Sequence, residues 1–344
     1  MTPYQRQEHI EKLLSKKVVM NEIRKYVMNR VDLEANSFSD LSIEETEAFL
    51  IHILMNETTE PFVHMAIKIA RDANEDDMTE EQALLRGSDI LRRAYSAGFY
   101  EVTQKSNMDS TYMIVKLVSL EDELRARANL CMFLPPMLVK PISWSATKDF
   151  KGGYLTYKTS IILGHDNDNT TQPVDDINKI QKVAYKIDMN LMPYLDEYKW
   201  DSPEEQMAFK FILSNVIKPE TDKFYFVNRY DFRGRIYTSG WAINPQGDDF
   251  HKSILDFNEG EYVAKSDEKW IKRAIANAYG LDKKTWKQRD SWFKRHCPKN
   301  DVAKLLSMRN KADEPWMYLK LVLAWKDHLA GKKVHASIRF DATT

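Results

Sequence analysis

The sequence predicts an α-rich α+β protein, and three observations carry the prediction. Helix-start signals followed by apolar residues at helical spacing fill the first 130 or so residues. From Leu134 the texture changes, as Pro135, Pro136, Pro141 and the pair Gly152-Gly153 break helix around the β-branched and aromatic run YLTYKTSIIL, Tyr154 to Leu163. The chain then closes on an alternating segment, KKVHASIRFD, in which Val334, Ala336, Ile338 and Phe340 fall on one side and His335, Ser337, Arg339 and Asp341 on the other.

In order, Ser42-Ile-Glu-Glu45 and Thr79-Glu-Glu-Gln82 have the capping-box pattern, in which a hydroxyl accepts from the first turn and the third residue on reaches back. Tyr154 to Leu163 is expected to form one or two strands, and GHDNDNTTQP a loop. Ile177, Ile180, Ala184, Ile187 and Leu191 recur at steps of three and four, which predicts one amphipathic helix. Ser202-Pro203 starts another, with Ser as cap and Pro where its missing N–H costs nothing. KFYFVN and RIYTSGWAIN read as strand and turn, and SDEKWIKRAIANAYG as a helix closed by Gly280. A last helix runs from near Asp313 and Pro315 to Gly331. The resulting division is a helical domain over 1–130, a connecting region over 131–220, and a third region over 221–344.

With 344 residues, 43% hydrophobic and 11% aromatic, the chain has apolar side chains for a sizeable core and length for two domains. Cys131 and Cys297 stand far apart and only His296 adjoins the latter, which argues against a disulfide or zinc framework. The polar, lysine-rich start MTPYQRQEHIEKLLSKK and the absence of an apolar run near about eighteen residues point away from export and membrane insertion. The formal net charge of −1 is unevenly spread: Met1 to Thr221 holds 26 basic and 35 acidic residues, Asp222 to Thr344 holds 24 and 16. That asymmetry favours a basic working surface in the second part, against the plainer reading of solvated helix faces.

Asp231-Phe-Arg-Gly-Arg235-Ile-Tyr237 sets two arginines around a glycine, followed by an aromatic. Glycine admits positive φ or close approach to a phosphate, arginine pairs phosphates bidentately, and tyrosine stacks on a base. A surface hairpin of solvated charges is the alternative. Asn244-Pro-Gln-Gly-Asp-Asp249 follows, and Asp341 ends the last predicted strand 110 residues after Asp231. Taken alone, Asp341 is equally an ordinary turn initiator.

Together these segments resemble the single-subunit RNA polymerases of podophages and mitochondria. D-F-R-G-R-I-Y with N-P-Q-G-D-D is similar to the family's D-x-x-G-R block, R-F-D-A-T-T to the start of its motif A, Gly280-Leu-Asp-Lys283 to its G-[VL]-D-K, and Glu314 to Leu319 to the helix leading into motif A. Weaker similarity reaches back over Leu134 to Trp144 and Ile177 to Leu191, leaving the first 130 residues uncovered.

The resemblance implies a helical N-terminal domain, a reduced thumb connection, and the first part of a right-hand palm with a helical insertion. It implies Asp341 as a catalytic metal ligand with the Ala342 carbonyl beside it; Arg233, Arg235, Tyr237, Asn244, Gln246 and Lys252 as nucleic-acid contacts; and Lys283 as a nucleotide contact. For Asn244 and Gln246, loop-stabilising hydrogen bonds are the competing reading. Two Mg²⁺ ions would serve templated nucleotidyl transfer, one activating the attacking hydroxyl and one steadying pyrophosphate. The implied partners are DNA template, RNA product and NTPs, with accessory promoter or single-stranded-DNA-binding factors, in the cytoplasm of an infected bacterial host.

The sequence departs from the family in several places. The thumb helices are shortened, the N-terminal region is too short for a full promoter-reading domain, and motifs B and C would lie past Thr344. The expectation is a split or truncated enzyme, inactive alone, whose fingers and second carboxylate come from another chain. A non-catalytic nucleic-acid-binding subunit and a relative of DNA polymerases or reverse transcriptases are the alternatives.

Overall fold

The structure is a computed structural model describing residues 1–28, 40–54, 60–73, 78–104, 112–116, 120–145, 152–163, 174–231 and 233–339. It divides into two compact units, Lys12–Met132 and a second made of Met1–Glu11 with Phe133–Thr344.

In the first unit, helices Lys16–Met28, Ile43–Leu54, Phe62–Ala73, Glu80–Ser96 and Asp122–Met132 surround a core that includes Phe49, Ile69, Ile90 and Phe99. Both capping boxes form. Ser42 Oγ accepts from Glu45 N at 3.1 Å while Glu45 accepts from Ser42 N at 3.0 Å, and Thr79 and Gln82 exchange the same pair of bonds. The all-helical expectation for this region needs correction, because Tyr100–Gln104 and Tyr112–Lys116 pair antiparallel and Glu60–Pro61 pairs with the second of them. YEVTQ and YMIVK are short runs of aromatic and β-branched residues, which suit a half-buried pleated surface.

The second unit takes in the helix start of the chain. Helix Pro3–Leu13 has Arg6 donating to Asp222 (2.7 Å) and the Gln7 side-chain Oε1 accepting from Leu138 N (2.7 Å). Its Glu11, 3% exposed, accepts from Gln7 Nε2, Leu155 N, Thr156 N and Thr156 Oγ1 at 2.6–2.9 Å. The buried carboxylate is thus satisfied by four donors, two of them backbone N–H groups of the loop after Gly153.

Short extended segments lie side by side through this unit. Met137 bridges Tyr225, Phe224 bridges Tyr185, Tyr185–Ile187 pairs antiparallel with Leu255–Phe257, and Glu261 bridges Val334. Phe257 N donates to His335 O, so the final segment runs beside the Leu255–Phe257 strand. The strand expected here is corrected to an extended segment with one isolated bridge at Val334 over the described part, although its alternation is as expected: Val334, Ala336 and Ile338 pack on the cluster built by Ile271, Ile275, Phe293, Tyr318, Val322 and Trp325. Phe340 lies outside the described residues.

Helices Pro203–Phe211, Glu268–Ala276 and Pro315–Leu329 fall where the sequence placed them. Ser202 Oγ caps Glu205 N at 3.1 Å, and Gly280, φ 112°, closes its helix so near Asp313 that a Cβ would lie 2.4 Å from the carboxylate. The single helix expected over Ile177 to Leu191 is corrected: Val174–Ile180 is helical, and Tyr185–Ile187 is a strand. Ladder bonds to Leu255–Phe257 and the bridge to Phe224 satisfy both edges of that segment, outweighing its helical spacing. Within Tyr154 to Leu163, Lys158–Thr159 pairs with Gly152–Gly153 and Ile162 bridges Tyr230.

Candidate nucleic-acid interface

Asn228–Tyr230 and Ile236–Thr238 form an antiparallel hairpin whose loop is the D-x-x-G-R sequence. Asp231 organises it. Its Oδ1 accepts from the backbone N–H of Arg233 and of Arg235, both at 2.9 Å, while Oδ2 takes Arg233 Nε at 2.9 Å and the Tyr237 hydroxyl at 3.2 Å. Gly234, φ 78°, makes the left-handed turn that lets Gly234 N return to Asp231 O and Asp231 N reach Arg235 O. Burial raises the Asp231 carboxyl, but the bonds from Arg235 N and from Arg233 outweigh it and hold the group below the usual carboxylate range.

Asp231 therefore ties Arg233, Arg235 and Tyr237 into one hydrogen-bonded turn. Arg233 is tied to Asp231 and lies 3.4 Å from the Tyr237 hydroxyl, whereas the exposed Arg235 side chain has no hydrogen-bond or ion-pair partner among the described residues. Phe232 lies outside the described residues.

The hairpin's outer edge is braced by the N-P-Q block. Gln246 accepts from Thr238 N at 2.8 Å and donates to Ile236 O at 2.9 Å, imitating a neighbouring strand, and Asn244 donates to Thr238 O and Gly240 O. Both amides, expected as nucleic-acid contacts or loop braces, are engaged as braces here. Underneath, Gln181 Oε1 accepts from Trp144 Nε1 and Asn228 N, both at 3.0 Å, and Asn228 Oδ1 accepts from Thr238 Oγ1 at 2.9 Å. This buried polar network fixes the hairpin on the core of Met137, Trp144, Ile161, Ile177 and Tyr230.

The two aspartates after Gly247 do different work. Asp248 caps helix Asp249–Ser253, accepts from the Tyr198 hydroxyl, and meets His251 Nδ1 at 2.7 Å; buried His251 also lies 3.2 Å from Glu205. Asp249 instead accepts from Trp316 N at 2.7 Å and Met317 N at 2.8 Å, capping helix Pro315–Leu329 from 67 and 68 residues away. Lys252, in the same short helix, has no side-chain partner among the described residues.

Helix Pro315–Leu329 then anchors the next layer. Lys320, fully buried, donates to Asp256 (2.6 Å), Leu255 O (2.6 Å) and Ser253 O (2.9 Å), with Asp188 at 3.5 Å. Burial pushes the Asp188 carboxyl up to about 6, opposed by Lys320 and reinforced by Asp256. After the helix, Arg339 Nη1 donates to Pro245 O at 3.0 Å, so the segment approaching Asp341 lies against the N-P-Q block. Asp341 and Ala342 lie outside the described residues.

Lys283 is on the surface, its side chain 89% exposed and 3.2 Å from Asp282. Arg289 holds that turn through Leu281 O and Asp282 O. Among the described residues no hydrogen bond or ion pair joins Lys283 to the hairpin. The roles of Asp231 as organiser, Asp249 as cap and Lys320 as a buried cation are not evident in the sequence. Only Asp231 left a signal, as the fixed acid of the loop pattern.

No family model matches the chain. Against curated proteins it is 25% identical over 264 residues to a probable DNA-directed RNA polymerase of Neurospora crassa, covering 60% of this chain and 30% of that protein. It is 36% identical over 92 residues to mitochondrial DNA-directed RNA polymerase 1 of Nicotiana sylvestris, covering 26% of this chain and 9% of that one. It is also 32% identical over 100 residues to the DNA-directed RNA polymerase of Pseudomonas phage phiKMV, covering 28% and 12%. The matches thus span less than a third of each relative. Over these stretches the chain is similar in sequence to DNA-directed RNA polymerases of the mitochondrial and phage single-subunit type.

Proposed function

We propose that this chain contributes the template-holding and first metal-binding part of a DNA-directed RNA polymerase that uses NTPs. The observation that carries the reading is the meeting of segments far apart in sequence: the D-x-x-G-R hairpin is braced by Asn244 and Gln246, Asp249 caps the helix Pro315–Leu329, and the chain leaving that helix returns through Arg339 to Pro245. In this reading the block over 221–344 is the first part of a palm. Arg235 and Lys252, two cations near the hairpin without side-chain partners among the described residues, take phosphates; Arg233 and Tyr237 present a preset edge to template or hybrid. Lys283 reaches the triphosphate of the incoming nucleotide.

Two Mg²⁺ ions would supply the nucleotidyl-transfer chemistry, held by Asp341, the Ala342 carbonyl and a second carboxylate supplied from outside these 344 residues. The residues of this chain bind and orient the strands; the fingers and the second carboxylate belong to a further chain or segment. With a phage polymerase among the relatives, the proposed compartment is the cytoplasm of an infected bacterium.

Binding of a labelled RNA–DNA hybrid across a salt series tests the interface. Arg235→Ala and Lys252→Ala should each lower the log–log slope by about one. Slopes unchanged in both variants would return the hairpin to a solvated surface turn.

A further inference from the structure

A cleft of about 800 Å³ in the second unit has no part in this reading. Its lining includes Phe257 and the apolar side of the final extended segment, Val334, Ala336 and Ile338. Lys140, Lys182 and Lys223 also line it, all three exposed and none with an ion-pair partner among the described residues. The bridges Met137↔Tyr225 and Tyr185↔Phe224 hold the three segments bearing these lysines side by side. Tyr262, 70% exposed, adds an aromatic face, with Lys333 Nζ 5.6 Å from its ring centroid. Glu259, Glu261 and Asp267 line the cleft as well.

We propose that this cleft binds a short run of single-stranded nucleic acid. Three solvated lysines without partners suit phosphates, since each acts as a point charge that displaces condensed counterions. An exposed tyrosine beside them offers a sequence-tolerant stacking face for a base. The carboxylates decide between one strand and two. They can accept from exocyclic amino groups of bases, and they repel the second phosphate backbone that a duplex would press against them. The inference concerns binding alone and stands apart from the polymerase reading.

The test uses the whole chain and a fluorescein-labelled, mixed-sequence single-stranded DNA, followed by anisotropy across a salt series. The triple variant Lys140→Ser/Lys182→Ser/Lys223→Ser should bind at least about ten-fold more weakly and lose roughly two units of log–log slope, given ~0.7 per phosphate for single strands. Tyr262→Ala should weaken binding about ten-fold with its slope unchanged. A control triple at exposed Lys17, Lys294 and Lys304, also to serine, should change little, and Arg235→Ala should leave the cleft's share of binding in place. Unlabelled duplex of the same sequence, and ATP at equal nucleotide concentration, should compete poorly. Binding by the cleft variant equal to wild type or to the control triple would overturn the proposal. So would duplex or ATP competing as well as the single strand.

Discussion

Asp249→Ala removes the one side chain that, among the described residues, caps the first turn of helix Pro315–Leu329, whose own N-cap position, Glu314, makes no side-chain cap bond. Two backbone N–H groups, on Trp316 and Met317, lose bonds of 2.7 and 2.8 Å to a carboxylate. Hydrogen bonds to charged groups contribute about 1.5–3 kcal/mol, and N-cap removals cost about 0.5–2 kcal/mol. Partial burial of the carboxylate itself works against it, so about 1–2 kcal/mol is the expected loss. That corresponds to roughly five- to thirty-fold faster amide exchange at the helix start. Hydrogen exchange read by mass spectrometry on peptides covering 315–322 measures it. Asp249→Asn, which keeps one acceptor, should fall between wild type and Ala. Asp248→Ala should instead loosen Asp249–Ser253, whose cap it is. Exchange at 315–322 unchanged in Asp249→Ala, or equally raised by Asp248→Ala, would refute the capping argument.

Other consequences can be measured separately. Burial raises the Asp222 carboxyl, but the Arg6 bond and Lys218 N outweigh it and set the group below its ordinary range. The stability this gives is present above the unfolded carboxylate pKa of about 3.9 and is lost as pH falls through the lowered folded value. Thermal unfolding of wild type and Arg6→Met should therefore differ at pH 6 and converge toward pH 3. Lys320→Met leaves Asp188 and Asp256 buried without their cation and should cost about 3–5 kcal/mol by urea unfolding. Because Asp188 already holds its proton up to about pH 6, that loss should be larger at pH 8 than at pH 5. In an active assembly, Lys283→Ala should lower kcat/KM for NTPs about ten-fold and Lys284→Ala little; equal small effects would remove Lys283 from the site.

Local chemistry was legible in the sequence; long-range partnership was not. Ser42, Thr79, Ser202 and Gly280 act within a turn of themselves, and each does what its pattern implied. Tyr185–Ile187 fits a helical stripe equally well, and only its neighbours at Phe224 and Leu255–Phe257 decide for a strand. Helix Pro3–Leu13 gives no sign in its spacing that Arg6, Gln7 and Glu11 bind residues 131 to 216 positions away. The site was legible as a set of motifs, but the sequence did not separate residues that brace from residues free to bind. Asn244 and Gln246 resolve into braces only once the edge of Ile236–Thr238 is seen.

The most direct test of the central claim is templated extension on a primed RNA–DNA hybrid with Mg²⁺ and NTPs. The chain is assayed alone, with a chain supplying the fingers and the second catalytic carboxylate, and in that assembly as Asp341→Ala. The expected results are no extension from the chain alone, extension on complementation, and loss of the chemical step with hybrid binding retained in Asp341→Ala, because a metal ligand and no phosphate contact is removed. Extension by the chain alone, or undiminished extension by the Asp341→Ala assembly, would contradict the claim.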